Sequence, residues 1–154
     1  LLFIPSEKQT DDKHPKSNPC EAGIVAMLLQ QLYALYRLNG QPFTPDQRIG
    51  VIAPYRNQIA CIKRSIHQLQ IPELNDITVD TVERYQGSQR DIIIYSFCVN
   101  QRYQLDLLAN ETVDEGQLID RKLNVAITRA RKQLFITGEP TLLESHLIRN
   151  TTWY

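Results

Sequence analysis

The chain has 154 residues, 42% of them apolar and 22% charged, which is enough for one core and predicts a single domain over residues 1–154. Its 17 basic and 17 acidic side chains balance, which excludes binders of nucleic acid that rely on a high overall positive charge. Cys20, Cys61 and Cys98 show neither a disulfide framework nor the paired spacing of a zinc site. No apolar run reaches the ~18–20 residues of a membrane span. We expect a cytoplasmic (intracellular) segment of a longer chain, with no metal site and no membrane partner.

The first half of the chain alternates strand and helix signals. Asn18 and Pro19 mark the start of a helix, and Glu21 completes an Asn-x-x-Glu capping box. The Asn39-Gly40 pair predicts where that helix ends. The predicted elements, in order, are a strand over 1–4, a loop over 5–18, a helix over 19–38, a strand over 48–53, a helix over 59–69 and a strand over 77–82.

The second half continues the alternation. Residues 91–99 contain the apolar run IIIYSF, which is typical of a strand covered on both faces. Residues 101–120 are polar with an acidic middle and predict a long, mobile loop. A helix over 123–130, a strand over 133–137 and a short helix over 142–148 follow. The repeated alternation predicts an α/β fold with a mainly parallel sheet and helices on both faces.

Three clusters carry side chains suited to chemistry: residues 54–58, 81–91 and 123–131. The third belongs to a stretch with five cations between Arg121 and Lys132. This basic cluster either forms a solvated helix face or provides an arginine that contacts a phosphoryl group. The second contains Gly87, which serves either a plain turn or a close approach to a ligand. No Gly-x-x-x-x-Gly-Lys-Ser/Thr loop occurs, so the chain itself lacks a primary phosphate cradle.

Read together, four segments resemble the motifs of one family. They are NPCEA (18–22), GVIAPYRNQ (50–58), TVERYQGSQRDIII (81–94) and LNVAITRAR (123–131), and the last three resemble motifs IV, V and VI. Their order over residues 18–138 is similar to that in the C-terminal RecA-like domain of superfamily 1 helicases. The resemblance is to the group that contains the nonsense-mediated-decay RNA helicase and the Okazaki-fragment helicase-nuclease. It implies a RecA-like three-layer sandwich.

In that family ATP and Mg²⁺ lie between two RecA-like halves and are held mainly by the N-terminal half, which is a separate domain. The resemblance implies that Arg129 is the catalytic arginine finger, which reaches the terminal phosphate. It also implies that Gly87, Gln89 and Asn124 lie on the ATP side of the domain. The family usually has glutamate where this chain has Gln89, so that contact loses a negative charge.

Other matched positions imply contacts with single-stranded DNA or RNA. Thr81 matches a residue that contacts a backbone phosphate, and Gln86 belongs to the pair that links the nucleotide site to the nucleic-acid track. Tyr55 lies beside basic residues, as base-stacking platforms do, although packing at the sheet edge is the alternative. Some relatives place a second phosphate-sensing arginine where this chain has Ile59. Arg56 either replaces it at the ATP site, contacts nucleic acid, or is a surface arginine.

The resemblance therefore implies the second motor domain of an ATP-dependent helicase or translocase with 5′-to-3′ polarity. Because the P-loop is missing, we expect the isolated domain to be inactive as an ATPase. The alternative is a non-catalytic RecA-like module that binds nucleic acid or a protein partner, which Gln89 and Ile59 favour.

Overall fold

A computed structural model describes residues 1–8, 15–85, 88–104, 111–114 and 117–142 of the chain. Five parallel strands form one sheet in the order β1-β7-β4-β2-β3, and a separate antiparallel pair forms a hairpin. The strands are β1 (Leu2–Pro5), β2 (Ile49–Ile52), β3 (Thr78–Asp80), β4 (Arg90–Ser96), β5 (Glu111–Asp114), β6 (Gln117–Asp120) and β7 (Ala130–Gly138). The helices are α1 (Pro19–Leu38), α2 (Pro45–Arg48), α3 (Arg56–Gln68) and α4 (Arg121–Arg129), with short 3-10 helices at Pro72–Asp76 and Val82–Tyr85. Within the described ranges no helix is long and apolar enough to cross a membrane.

Helix α1 begins and ends where the sequence predicts. The side chain of Asn18 accepts a hydrogen bond from the backbone N–H of Glu21 at 3.1 Å, Pro19 is the first helical residue, and Gly40 has a φ of +62°. The second half of the predicted capping box is wrong, however. The backbone N–H of Asn18 donates to the side chain of Gln58 at 2.7 Å, and the Glu21 carboxylate points into the protein.

The sheet is covered on both faces, as its apolar central strand predicts. Strand β4 is buried from Asp91 through Ser96. Helices α1 and α3 pack on one face, against side chains that include Val51 and Ile94. Helix α4 packs on the other face through Ala126, beside Tyr85 and Ile93. The architecture is a RecA-like α/β fold.

Several predicted boundaries differ from the structure, among them the start of α3 at Arg56 rather than at residue 59, and two of the differences have a clear cause. Residues 111–120 are not all loop, because the runs ETVD and QLID pair as the β5–β6 hairpin. Their β-forming side chains were outweighed by the acidic composition of the segment. Ala130 opens β7 rather than ending a helix, since it pairs with Arg90 in the ladder. The predicted helix over 142–148 lies outside the described residues from 143 onward, as does 9–14 of the predicted loop.

Candidate functional sites at the two edges of the sheet

The parallel sheet has two distinct edges, and the sequence-predicted site residues divide between them. All strand amino ends lie at one edge, here called the amino edge, which carries Gln89 and Arg129. All carboxyl ends lie at the opposite edge, here called the carboxyl edge, which carries Tyr55, Arg56 and Thr81. Asn124 lies exposed on α4, whereas Gln86 and Gly87 lie outside the described residues.

At the amino edge, Arg129 is the last residue of α4 and immediately precedes β7. It is half-buried, and its Nε is buried with no hydrogen-bond partner among the described residues. Gln89 lies beside it, since its side-chain amide donates to the carbonyl of Thr128 at 3.4 Å. The structure therefore brings together the predicted motif V and motif VI residues. A buried guanidinium nitrogen without a partner is costly unless a further group pairs with it.

Asp91 pairs with three cations at the amino edge. Its side chain is only 8% exposed and lies 2.8 Å from Arg48 Nη1, 3.1 Å from Lys132 Nζ and 3.9 Å from Arg131 Nη1. The hydrogen bond from Arg48 is the main reason that the pKa of this carboxyl lies below its usual value. Arg131 and Lys132 are thus paired with Asp91. Sequence reasoning gave Asp91 no role, although an acid at the start of a buried strand was the available signal.

An open cleft of about 410 Å³ lies at the same edge. Arg90, one of its lining residues, places its guanidinium over the ring of Tyr85, 5.8 Å from the centroid. Two cations, two amides and a hydroxyl line this cleft together with one carboxylate, Asp46, and the cations and donors are groups that can bind an anion. The lining residues are Asp46, Gln47, Ser88, Gln89, Arg90 and Arg131.

The carboxyl edge offers a different set of groups. Thr81 follows β3 directly and is half-buried. Tyr55 precedes α3, whose first turn has neither a side-chain cap nor an acidic residue, and Arg56 opens that helix fully exposed. A free helix N-terminus, a hydroxyl and a guanidinium together suit phosphate oxygens. Arg56 lies at the end of β2 opposite to Gln89 and Arg129, so the structure does not group it with the predicted ATP-side residues.

A buried polar network supports the carboxyl edge. The fully buried Glu21 carboxylate accepts hydrogen bonds from Ser96 Oγ at 2.6 Å, the backbone N–H of Cys98 at 2.9 Å and Ser6 Oγ at 3.3 Å. Burial, the largest cause, raises the pKa of Glu21 to about 7, and the hydrogen bonds limit that rise. Cys98 has a φ of +49°, so this carboxylate holds a turn in an uncommon conformation.

Gln58 extends the same network. Its side-chain amide donates to Ser96 Oγ and to the carbonyl of Asn18, both at 3.1 Å. Glu21 and Gln58 come from the two segments that resemble the family most clearly in the first half of the chain. Their positions show that these motif residues shape the loops of the edge rather than face a ligand.

Comparison with known proteins decides the family. Residues 3–141 match the family described as AAA domain. The chain is 33% identical over 123 residues to DNA polymerase alpha-associated DNA helicase A of Saccharomyces cerevisiae, covering 79% of this chain and 16% of the yeast protein. It is 34% identical over 147 residues to DNA replication ATP-dependent helicase/nuclease DNA2 of Xenopus laevis, covering 92% of this chain and 12% of the frog protein.

This chain belongs to the superfamily 1 helicases. Within them it falls in the group that contains the nonsense-mediated-decay and Okazaki-fragment helicases, as the motifs indicate. The helicase domain spans about a sixth or less of the length of the relatives named above. In the described part of the domain, no group of His, Cys, Asp and Glu side chains is arranged to hold a metal ion.

Proposed function

We propose that this chain is the second motor domain of an ATP-dependent helicase or translocase on single-stranded nucleic acid. The amino edge presents Arg129 to an ATP site shared with a P-loop domain. The carboxyl edge contacts the strand. The observation that carries the proposal is the buried Arg129 Nε without a described partner, beside Arg131 and Lys132, which Asp91 already pairs.

The amino-edge residues contact or position the nucleotide in different ways. Arg129 stabilises the charge that develops on the terminal phosphate, for which a forked and permanently charged guanidinium is suited. Gln89 is held by Thr128 and offers an amide to the nucleotide. Asn124 faces solvent on the same helix, and Gly87 is assigned to this side by resemblance. ATP-bound Mg²⁺ is assigned to the N-terminal half by resemblance.

The carboxyl edge takes the strand without reading its sequence. Thr81 contacts a backbone phosphate, and the free first turn of α3 with Arg56 offers a second phosphate contact. Tyr55 packs beside this position, and Gln86 is assigned to the link between the two edges by resemblance. Opening and closing of the two halves with ATP turnover moves the strand 5′ to 3′.

The experiment is strand-stimulated ATP hydrolysis by the full-length protein, with single-stranded DNA and RNA in turn. We expect Arg129→Ala to lower stimulated turnover by about 10³-fold, because an arginine finger acts on the chemical step. Strand affinity is expected to stay unchanged. Arg64→Ala, an exposed arginine on α3, is the matched control. Equal turnover in Arg129→Ala and the control would remove Arg129 from the mechanism.

A non-catalytic RecA-like module is the second candidate, and Gln89 and Ile59 favour it. Gln89 replaces the usual acid and uses its amide on the carbonyl of Thr128, so the nucleotide loses a contact. This candidate predicts strand binding with no ATP turnover in any variant. The isolated domain is expected to lack ATPase activity under both candidates, so only the full-length protein separates them.

A further inference from the structure

The segment that follows β4 lies at the carboxyl edge, outside every helicase motif identified above, and becomes helical at residues 102–104. Gln104, only 2% exposed, anchors it. Its side-chain oxygen accepts hydrogen bonds from the backbone N–H groups of Asn100 at 2.8 Å and Gln101 at 2.9 Å. Its side-chain amide donates to the carbonyl of Pro15 at 2.7 Å. The buried glutamine therefore fixes the backbone that carries its two predecessors, Arg102 and Tyr103.

Both of those side chains face solvent. The ring of Tyr103 is 52% exposed, and Arg102 is exposed beside it. The hydrogen bonds of Gln104 fix the backbone that carries the exposed ring. The ring therefore loses little conformational freedom when a flat ligand stacks on it. Burial, the largest cause, raises the pKa of Tyr55, and a hydrogen bond with the Gln104 side chain limits that rise, so Tyr55 lies against the residue that anchors this segment.

Cations lie beside Tyr55 and along the same segment. Lys16 Nζ lies over the ring of Tyr55, 5.8 Å from its centroid, and Arg56 follows Tyr55 directly. Gln104 ties the segment that carries the exposed Arg102 to Pro15, the neighbour of Lys16. Aromatic faces interleaved with cations are the pattern of proteins that bind single strands without sequence preference.

The sheet order aligns these groups with Thr81. Strands β4, β2 and β3 are consecutive neighbours, so their carboxyl-end loops follow one another across the edge. Neighbouring strands lie about 4.8 Å apart. The segments that carry Tyr103, Tyr55 and Thr81 follow β4, β2 and β3 respectively and therefore lie at the same edge of the sheet.

We propose that Tyr103 is a base-stacking platform and that Arg102 and Lys16 contact phosphates beside it, which extends the single-strand track past the helicase motifs. The inference rests on the proposed function, because it takes the carboxyl edge as the track. The shared chemistry of the ligand is a base next to an anionic backbone, which single-stranded DNA and RNA both offer.

The test measures affinity of the full-length protein for fluorescently labelled oligo-dA, oligo-rA and an abasic DNA strand of equal length, by anisotropy without nucleotide. We expect Tyr103→Ala to weaken binding to both base-bearing strands about tenfold. Tyr103→Phe should keep wild-type affinity, since it keeps the ring. On the abasic strand Tyr103→Ala should match wild type, because no base is present to stack.

The cations have a separate readout. Arg102→Ala and Lys16→Ala should each lower the slope of log affinity against log salt by about 0.7, the value for one phosphate of a single strand. Arg64 is exposed on α3, and Arg64→Ala should leave that slope unchanged. An unchanged slope in both of the first two variants would overturn their assignment.

Other outcomes separate this inference from the proposed function. If Thr81→Ala weakens binding while Tyr103→Ala does not, the stacking inference is overturned and the track at the carboxyl edge stands. Equal weakening of Tyr103→Ala on abasic and base-bearing strands also overturns stacking. If the wild-type protein binds none of the strands, the proposed function itself fails. The better-bound strand of oligo-dA and oligo-rA identifies the nucleic acid.

Discussion

Each edge of the sheet contains one buried carboxylate, and the two are stabilised in opposite ways. Asp91 at the amino edge is surrounded by Arg48, Lys132 and Arg131, and its pKa is lowered, mainly by the hydrogen bond from Arg48. Glu21 at the carboxyl edge receives only neutral donors, and burial raises its pKa to about 7. The same functional group thus responds to its partners rather than to its burial alone.

The difference has a consequence for function at each edge. At the amino edge Asp91 pairs with neighbouring cations, whereas the Nε atoms of Arg129 and Arg90 are buried without a described hydrogen-bond partner. At the carboxyl edge Glu21 orders the loops with neutral hydrogen bonds, and cations of that edge, such as Lys16 and Arg56, are exposed. Cations at the amino edge are therefore partly paired with a buried carboxylate, whereas those at the carboxyl edge lie on the surface.

Removing Glu21 should have the largest effect on stability. Glu21→Ala leaves Ser96 Oγ and the Cys98 N–H buried without their acceptor, and each such group costs about 1–3 kcal/mol. We expect the free energy of unfolding, measured in urea at pH 7, to fall by about 3–5 kcal/mol. Glu21→Gln keeps one acceptor and should lose clearly less. Equal losses would show that the network is not organised around the carboxylate.

The pH dependence of the same residue sharpens the comparison. The pKa of Glu21 is about 7 in the folded state against 4.5 in the unfolded chain, so the folded state binds more protons between these values. The free energy of unfolding should therefore fall as the pH rises from 5 to 7, by up to about 1.4 kcal/mol per pH unit from this group. Glu21→Gln should lack this slope. A wild-type slope no steeper than that of Glu21→Gln contradicts the assignment.

Local features were predictable from the sequence, and long-range partners were not. The cap at Asn18 and the stop at Gly40 depend on neighbours along the chain, and the structure confirms both. Glu21 fits a local capping template equally well, yet its acceptor atoms serve Ser96 and Cys98, which only the folded sheet brings near. Periodicity carries no information on such partners.

The site shows the same limit. The ordered motifs identified the family, but they could not show that Arg56 lies at the other edge from Gln89 and Arg129, since that depends on which end of a strand each residue follows. Asp91 was missed because its partners come from α2 and β7, far along the chain.

Adding a side-chain carbon at Gly50 in β2 tests how closely Tyr85 and Arg90 pack against this strand. A Cβ on Gly50 would lie 2.8 Å from Tyr85 Oη and 3.1 Å from Arg90 Cγ. Tyr85 is fixed because its hydroxyl donates to the carbonyl of Thr78. We expect Gly50→Ala to lower the free energy of unfolding by about 2 kcal/mol, as overpacked cores do.

The chain offers a matched control for that substitution. A Cβ on Gly23 in α1 would meet nothing within 4 Å, so Gly23→Ala should stabilise the domain by about 0.5–1 kcal/mol through helix propensity. Thermal or urea unfolding of the two variants should therefore shift in opposite directions. If Gly50→Ala is instead stabilised like Gly23→Ala, Tyr85 moves aside without cost.

The smallest loss of stability is expected at Asp91, although it is the more highly charged of the two carboxylate sites. Asp91→Asn removes ion pairs whose partners Arg131 and Lys132 are 55% and 67% exposed, so water replaces much of the lost interaction. We expect the free energy of unfolding to fall by about 1 kcal/mol at pH 7.

Because the folded-state pKa of Asp91 is lowered, its contribution to stability is present above the unfolded value of 3.8 and is lost as the pH falls below it. Urea unfolding at pH 7 and at pH 3 should show that the difference in the free energy of unfolding between wild type and Asp91→Asn becomes smaller at acid pH. This pH dependence is opposite in sign to that expected for Glu21. A difference that stays constant between these pH values would mean that Asp91 contributes packing rather than charge.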